Sequence, residues 1–123
     1  MNKNYKNDMS QTYSDIYQDQ YDLNHKVVNY TTQMIKKNLF EMGISLKKLH
    51  NMKVLNIGTG IETVVFRKLG AKKVYHFDIS KKAVRAVNKH NKKYGKIKTQ
   101  EIDVCSEKIN LNEKVDIIYL NGV

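Results

Sequence analysis

Apolar positions along the chain fall into two textures. Between Asp22 and Gly43, the residues Leu23, Val27, Tyr30, Met34, Ile35, Leu39 and Met42 recur at helical spacing. They predict an amphipathic helix of about 20 residues, capped by Asp22 and stopped by Gly43. Upstream, Tyr13, Ile16 and Tyr17 are spaced for a turn or two of helix, and Met1 to Gln11 is polar and without period. Ile44 to Asn51 reads as a linker anchored by Leu46 and Leu49. From Met52 onward short apolar runs alternate with helical ones. Residues 52–57 read as a strand closed by Gly58-Thr59-Gly60. Ile61, Val64, Val65 and Leu69 then trace a helix that Gly70 ends. Lys73 to Asp78 is a second strand. Ser80 caps a helix lined by Ala83, Val84, Val87 and Tyr94 and ended by Gly95. Lys96 to Ile102 and Val115 to Leu120 are the third and fourth strands.

This alternation predicts an α/β fold, a parallel sheet with helices on its faces. Right-handed crossovers place the second and third strands on one side of the first, and the fourth on the other, for an order of 3-2-1-4. The strand order then reverses beside the first strand, where ligands of open α/β sheets bind. With 123 residues the chain has room for one domain. Residues 1–51 supply a tail and covering helices, and residues 52–123 the ligand-binding half-sheet.

The polar residues that stand out lie at the carboxyl ends of the expected strands: Gly58-Thr59-Gly60, Asp78, Asp103 and Asn121-Gly122. One such placement is what turns provide anyway. Four at one sheet edge point to a single site. Glycine lets a ligand approach the backbone where a Cβ would block it. Asp78 is 18 residues beyond Gly60, placed to accept hydrogen bonds from two ribose hydroxyls and to disfavour a 2′-phosphate. Asp103 is placed to accept from an adenine amino group, and Asn56 and Asn121 flank the reactive end of a nucleotide-like ligand. A lone Gly-x-Gly is a turn. Followed by a helix and then by an acid at this distance, it reads as a nucleotide site.

The stretch Val54-Leu55-Asn56-Ile57-Gly58-Thr59-Gly60 resembles the first motif of the class I methyltransferases that use S-adenosylmethionine. Val74-Tyr75-His76-Phe77-Asp78-Ile79-Ser80 is similar to that family's second strand, whose terminal acid holds the ribose. Glu101-Ile102-Asp103-Val104 is similar to the adenine-contacting segment, and Val115 to Val123 to the fourth strand and the start of a substrate-side loop. The resemblance covers about residues 52–123, with the helix at 22–43 in the place of an N-terminal cover helix. It implies a Rossmann-like fold, S-adenosylmethionine as cofactor, methyl transfer to an acceptor it does not identify, and cofactor contacts at Asn56, Gly58, Thr59, Gly60, Asp78, Ile79, Asp103, Val104 and Asn121. It implies no catalytic residue. The chain departs from the family at two positions. The acid expected two residues before the first glycine is Asn56, whose amide can bond an ammonium group without charge assistance. A frequent third glycine is replaced by Glu62, whose charge suits a helix N-terminus; it either folds away from the ligand or stands in for the missing acid. The family's sheet has seven strands. Four would leave Val115, Ile117, Ile118 and Leu120 on an apolar edge, which proteins avoid. Either the chain is a fragment of a longer protein, the favoured expectation, or a second copy covers the edge as a homodimer.

Composition narrows the picture further. A 41% hydrophobic share supports a packed core. No apolar run is long enough to span a membrane, and the polar N-terminus has no signal-peptide core. With one cysteine, Cys105, no internal disulfide forms. These features point to a cytoplasmic protein. His25, His50, His76 and His90 show no metal-ligand spacing, and His76 reads as core packing. The net charge of +10 raises the question of nucleic acid. Twelve basic residues between Arg67 and Lys98 face only Asp78, yet 20 of the 22 basic residues are lysine. Arginine is the better phosphate fork, so a solvated lysine face is favoured over a nucleic-acid-binding module. A nicotinamide-dependent oxidoreductase half-domain is the other alternative. Its fingerprint wants a glycine where Thr63 stands.

Overall fold

The structure, a computed structural model, describes residues 25–58, 60–103 and 111–120. In chain order these form α1 (His25–Glu41), α2 (Leu46–Leu49), β1 (Lys53–Ile57), α3 (Gly60–Lys68), β2 (Lys73–Asp78), α4 (Lys81–Tyr94), β3 (Ile97–Glu101) and β4 (Ile117–Leu120). The expected turn at Tyr13 to Tyr17 lies outside the described residues. The strands form one parallel sheet in the order β3-β2-β1-β4, as the crossover rule predicts. β4 begins two residues later than its apolar run.

The central strands β1 and β2 are buried along nearly their whole length, whereas the edge strands β3 and β4 alternate. A strand in the middle of a parallel sheet is covered on both faces and so reads as a continuous apolar run. On one face Val54, Val74 and Ile117 pack with Ile35 and Leu39 of α1, Leu49 of α2, and Ile61, Val65 and Phe66 of α3. On the other, Leu55, Ile57, Tyr75, Phe77 and Ile102 form a second cluster, with Leu111 and Val115 packed against it. On β4, Ile118 and Leu120 are 61% and 62% exposed.

The buried stripe of α1 is narrower than its periodicity suggested. Thr31, Thr32, Ile35 and Leu39 are buried, but Tyr30 is 71% exposed and Met42 58% exposed. Tyr30 sits about 140° around the helix from Ile35. Met42 lies past the last helical residue. The helix stops there because Gly43 turns with a φ of +74° while Ile44 N–H reaches back to Leu39 O at 2.9 Å and Gly43 N–H to Phe40 O at 3.0 Å, a Schellman closure. Residues 46–49 are a short helix rather than a plain linker, capped by Ser45, whose Oγ accepts from Lys48 N–H at 3.1 Å. Leu49 is its anchor. Leu46 points to solvent.

The amino end of the sheet is closed by charge. Lys53 and Lys73, the first residues of β1 and β2, are register partners, and two ammonium groups side by side repel. Glu113 lies between them, its Oε2 2.5 Å from Lys53 Nζ and its Oε1 2.8 Å from Lys73 Nζ, and it also accepts from the Tyr75 hydroxyl. Hydrogen bonds from Lys53 first, then Lys73 and Tyr75, hold the Glu113 carboxyl down at about 2. Backbone bonds lock the same corner: Lys53 N–H donates to Asp116 Oδ2, and Asp116 N–H to Lys53 O, both at 2.8 Å.

A carboxyl whose folded value is depressed stabilises the fold above its unfolded value and loses that contribution as pH falls through the folded one. Stability should therefore decline from about pH 4.5 to about pH 2 through this group. The Glu113→Gln variant should lose that segment of the pH dependence in denaturant unfolding measured across the window. An unchanged profile would remove Glu113 from the account. A second expectation concerns α3. A Cβ on Gly60 would overlap Cγ2 of Val87 on α4, a buried β-branched side chain that cannot easily turn away. Gly60→Ala should destabilise the chain by about 1–3 kcal/mol, read as a lower denaturant midpoint. A midpoint at or above wild type would show that the helices separate freely.

Candidate functional site

Because all four strands run the same way, their carboxyl ends share one edge. β1 ends at Ile57 and leads into Gly58, β2 ends at Asp78, and β3 ends at Glu101, the register partner of Asp78. Ile102 N–H donates to Asp78 O at 2.7 Å, which extends the pairing and brings buried Asp103 to the same edge. Gly58, Asp78, Ile79 and Asp103 are thus brought together. Thr59, Val104 and Asn121 lie outside the described residues.

Asn56 lies within β1 rather than at its end. It is fully buried and is the register partner of His76 on β2 and of Tyr119 on β4. Across β2, His76 is in turn the partner of Thr99 on β3. A row of polar side chains, Tyr119, Asn56, His76 and Thr99, therefore crosses the sheet on the face that the helices cover. Each meets a helix. Asn38 of α1 donates from Nδ2 to the Tyr119 hydroxyl at 2.9 Å, and the Thr99 hydroxyl donates to Asn88 Oδ1 of α4 at 2.8 Å. Thr63 of α3 serves the central pair.

Asn56 Nδ2 donates to Thr63 Oγ1 at 2.9 Å, and Thr63 Oγ1 lies 2.7 Å from His76 Nδ1. His76 Nε2 lies 3.1 Å from Asp78 Oδ2, and Ser80 N–H donates to Asp78 Oδ1 at 2.9 Å. The Ser80 hydroxyl accepts from Ala83 N–H at 3.2 Å and caps α4. The Asp78 side chain is only 8% exposed, held at the rim by a strand neighbour on one oxygen and a helix entry on the other. A carboxylate has roughly four acceptor sites. Among the described residues His76 and Ser80 occupy two, and the remaining two match a pair of vicinal hydroxyls.

The glycine at position 60 has a structural reason of its own, since Val87 fills the direction a side chain would take. Glu62 is buried in the first turn of α3, where the helix N-terminus favours its charge. It does not fold out to solvent. Its charge is felt by Tyr119, whose hydroxyl is raised chiefly by burial and further by Glu62.

Thr63 and His76 are the residues that sequence reasoning missed. His76 is indeed buried, but both ring nitrogens are within hydrogen-bond distance of polar partners, which apolar packing does not require. Strand parity holds a signal: His76 lies two residues before Asp78 and so faces the same side of β2. Of the basic run, Arg67 is spent inside the fold, donating to Gly95 O at 2.9 Å and to Ala71 O, and Lys73 is paired with Glu113. Lys81, Lys82, Arg85, Lys89 and Lys98 are exposed.

The chain is similar to PH1948 of Pyrococcus horikoshii, a candidate RNA methyltransferase, at 28% identity and a TM-score of 0.53, over 68% of this chain and 41% of that one. It is similar to protein arginine methyltransferase 10 of Arabidopsis thaliana at 27% identity and a TM-score of 0.62, over 89% and 30%. With phosphoethanolamine N-methyltransferase 1 of Haemonchus contortus, in complex with phosphoethanolamine and S-adenosylhomocysteine, it shares the fold at 24% identity and a TM-score of 0.61, over 100% and 27%. The chain thus spans well under half the length of these structures. No curated protein matches it. Residues 22–122 match the ribosomal protein L11 methyltransferase (PrmA) family. That match takes in α1, the glycine turn, Asp78 and all four strands, so the chain belongs to the PrmA family of methyltransferases, whose cofactor is S-adenosylmethionine.

Proposed function

We propose that the chain binds S-adenosylmethionine at the carboxyl edge of its sheet and directs the methyl group to a nucleophilic acceptor. The observation that carries this is the Asp78 carboxylate, held at the rim and, among the described residues, bonded at two of its roughly four acceptor sites. In this reading Asp78 takes the ribose hydroxyls, with Ile79 beside it. Gly58, Thr59 and Gly60 admit the cofactor to the backbone. Asp103 and Val104 frame the adenine, and Asn56 and Asn121 lie toward the methionine end. Buried Glu62, one turn into α3, supplies there the negative charge that Asn56 lacks.

When bound, the cofactor supplies a methyl group already activated on a sulfonium, so the protein's task is to orient an in-line transfer. The acceptors named for the similar proteins are diverse: a ribosomal protein, an RNA, protein arginine and phosphoethanolamine. What this chain shares with them is the half-sheet, which supports a role in holding the cofactor while acceptor choice rests on other segments.

Calorimetric titration with S-adenosylhomocysteine should show saturable binding, with NAD giving none. Loss of two hydrogen bonds to a charged group should weaken the Asp78→Ala variant by at least about a hundredfold, with cooperative unfolding retained. Unchanged affinity in that variant would refute the ribose assignment. Saturable NAD binding without S-adenosylhomocysteine binding would favour the oxidoreductase alternative.

A further inference from the structure

The chain of bonds from Asn56 through Thr63 and His76 to Asp78 does more than fill the helix-covered face. Asn56, Thr63 and His76 are all fully buried, and burying polar groups costs free energy that their hydrogen bonds offset only in part. Apolar residues of similar size would pack there at less cost. The bonds also lead somewhere. They end on Asp78, the carboxylate at the ligand edge.

Their direction is determined at Thr63. Its hydroxyl oxygen accepts from the Asn56 amide, and its own proton can be donated to His76 Nδ1, 2.7 Å away. Nδ1 is then the acceptor of the ring and Nε2 carries the proton. That proton faces Asp78 Oδ2. The opposite tautomer would set the Nε2 lone pair against the carboxylate. This arrangement favours a donor facing Asp78.

We propose that His76 is a positioning residue for the nucleoside. Its Nε2–H holds Oδ2 of Asp78 while Ser80 N–H holds Oδ1, and the two open acceptor sites are thereby aimed at a vicinal diol. This rests on the cofactor reading above. A carboxylate anchored at both oxygens loses little further freedom when a ligand binds, and preorganisation of this kind raises affinity. A side chain that merely filled the space would leave Asp78 with one anchor.

Two conservative variants separate positioning from packing. In His76→Gln the amide nitrogen reaches the place of Nε2 and can still donate to Asp78. In His76→Asn the carboxamide reaches only the place of Nδ1 and bonds Thr63. Calorimetry with S-adenosylhomocysteine should find His76→Gln within about threefold of wild type and His76→Asn weakened about tenfold or more, the worth of a hydrogen bond to a charged group. Both should unfold cooperatively. Equal affinity in the two variants, with wild type binding normally, would overturn the positioning role alone. Wild-type protein that binds no S-adenosylhomocysteine would overturn the cofactor reading, and the role with it. Nitrogen NMR of the wild-type imidazole gives a readout independent of how the variants fold: a proton on Nε2 is expected, and a ring protonated only on Nδ1 would overturn the proposal.

Discussion

Asn56 and His76 sit side by side in two strands that water cannot reach, and much of the structure is arranged around satisfying them. A buried amide and a buried imidazole must find partners within the protein. Thr63 is inserted between them from α3, and the polar row continues outward to Tyr119 and Thr99, which bond Asn38 of α1 and Asn88 of α4. Apolar contact alone is non-directional and lets a helix slide or roll. Hydrogen bonds from each of the three long helices to a common row, two of them through Thr63, fix where each sits on the sheet. The row lies one step inside the rim, so whatever docks the helices also determines the surroundings of Asp78.

Much of this was legible in the residues themselves. The strands showed as short apolar runs, the crossover rule gave their order, and Gly58 and Asp78 fall at the carboxyl edge of the sheet, as their spacing implied. Less legible was anything that depends on which residues become neighbours across strands. Asn56 and His76 are 20 positions apart, and only the register puts them in one row. The role of Glu113 was hidden for the same reason, because its partners Lys53 and Lys73 lie far back in the chain. Gly60 looked like a ligand contact from its motif. Val87, 27 residues later, supplies a packing reason that no local spacing could show. The cover helix misled in another way. A period of 3.6 marks a face but neither its width nor its end, so Tyr30 and Met42 were counted as buried when one lies off the stripe and the other beyond the helix.

An acid at the first-strand position would have to be buried as a charge beside His76 and Thr63. An amide there avoids that burial and can donate to Thr63, which sets the hydroxyl's direction. Seen this way, Asn56 and His76 belong together, and Glu62 is buried at a helix N-terminus that favours its charge.

The sheet keeps two kinds of electrostatics apart. At its amino end Glu113 neutralises two lysines; at its carboxyl end lie the acids Asp78 and Asp103. A five-residue strand separates them by about 16 Å, farther than the roughly 7–10 Å over which substitutions usually couple. Tolerance of acid can therefore drift at one end, through exchanges at Glu113 and its lysines, while affinity for a nucleoside is tuned independently at the other.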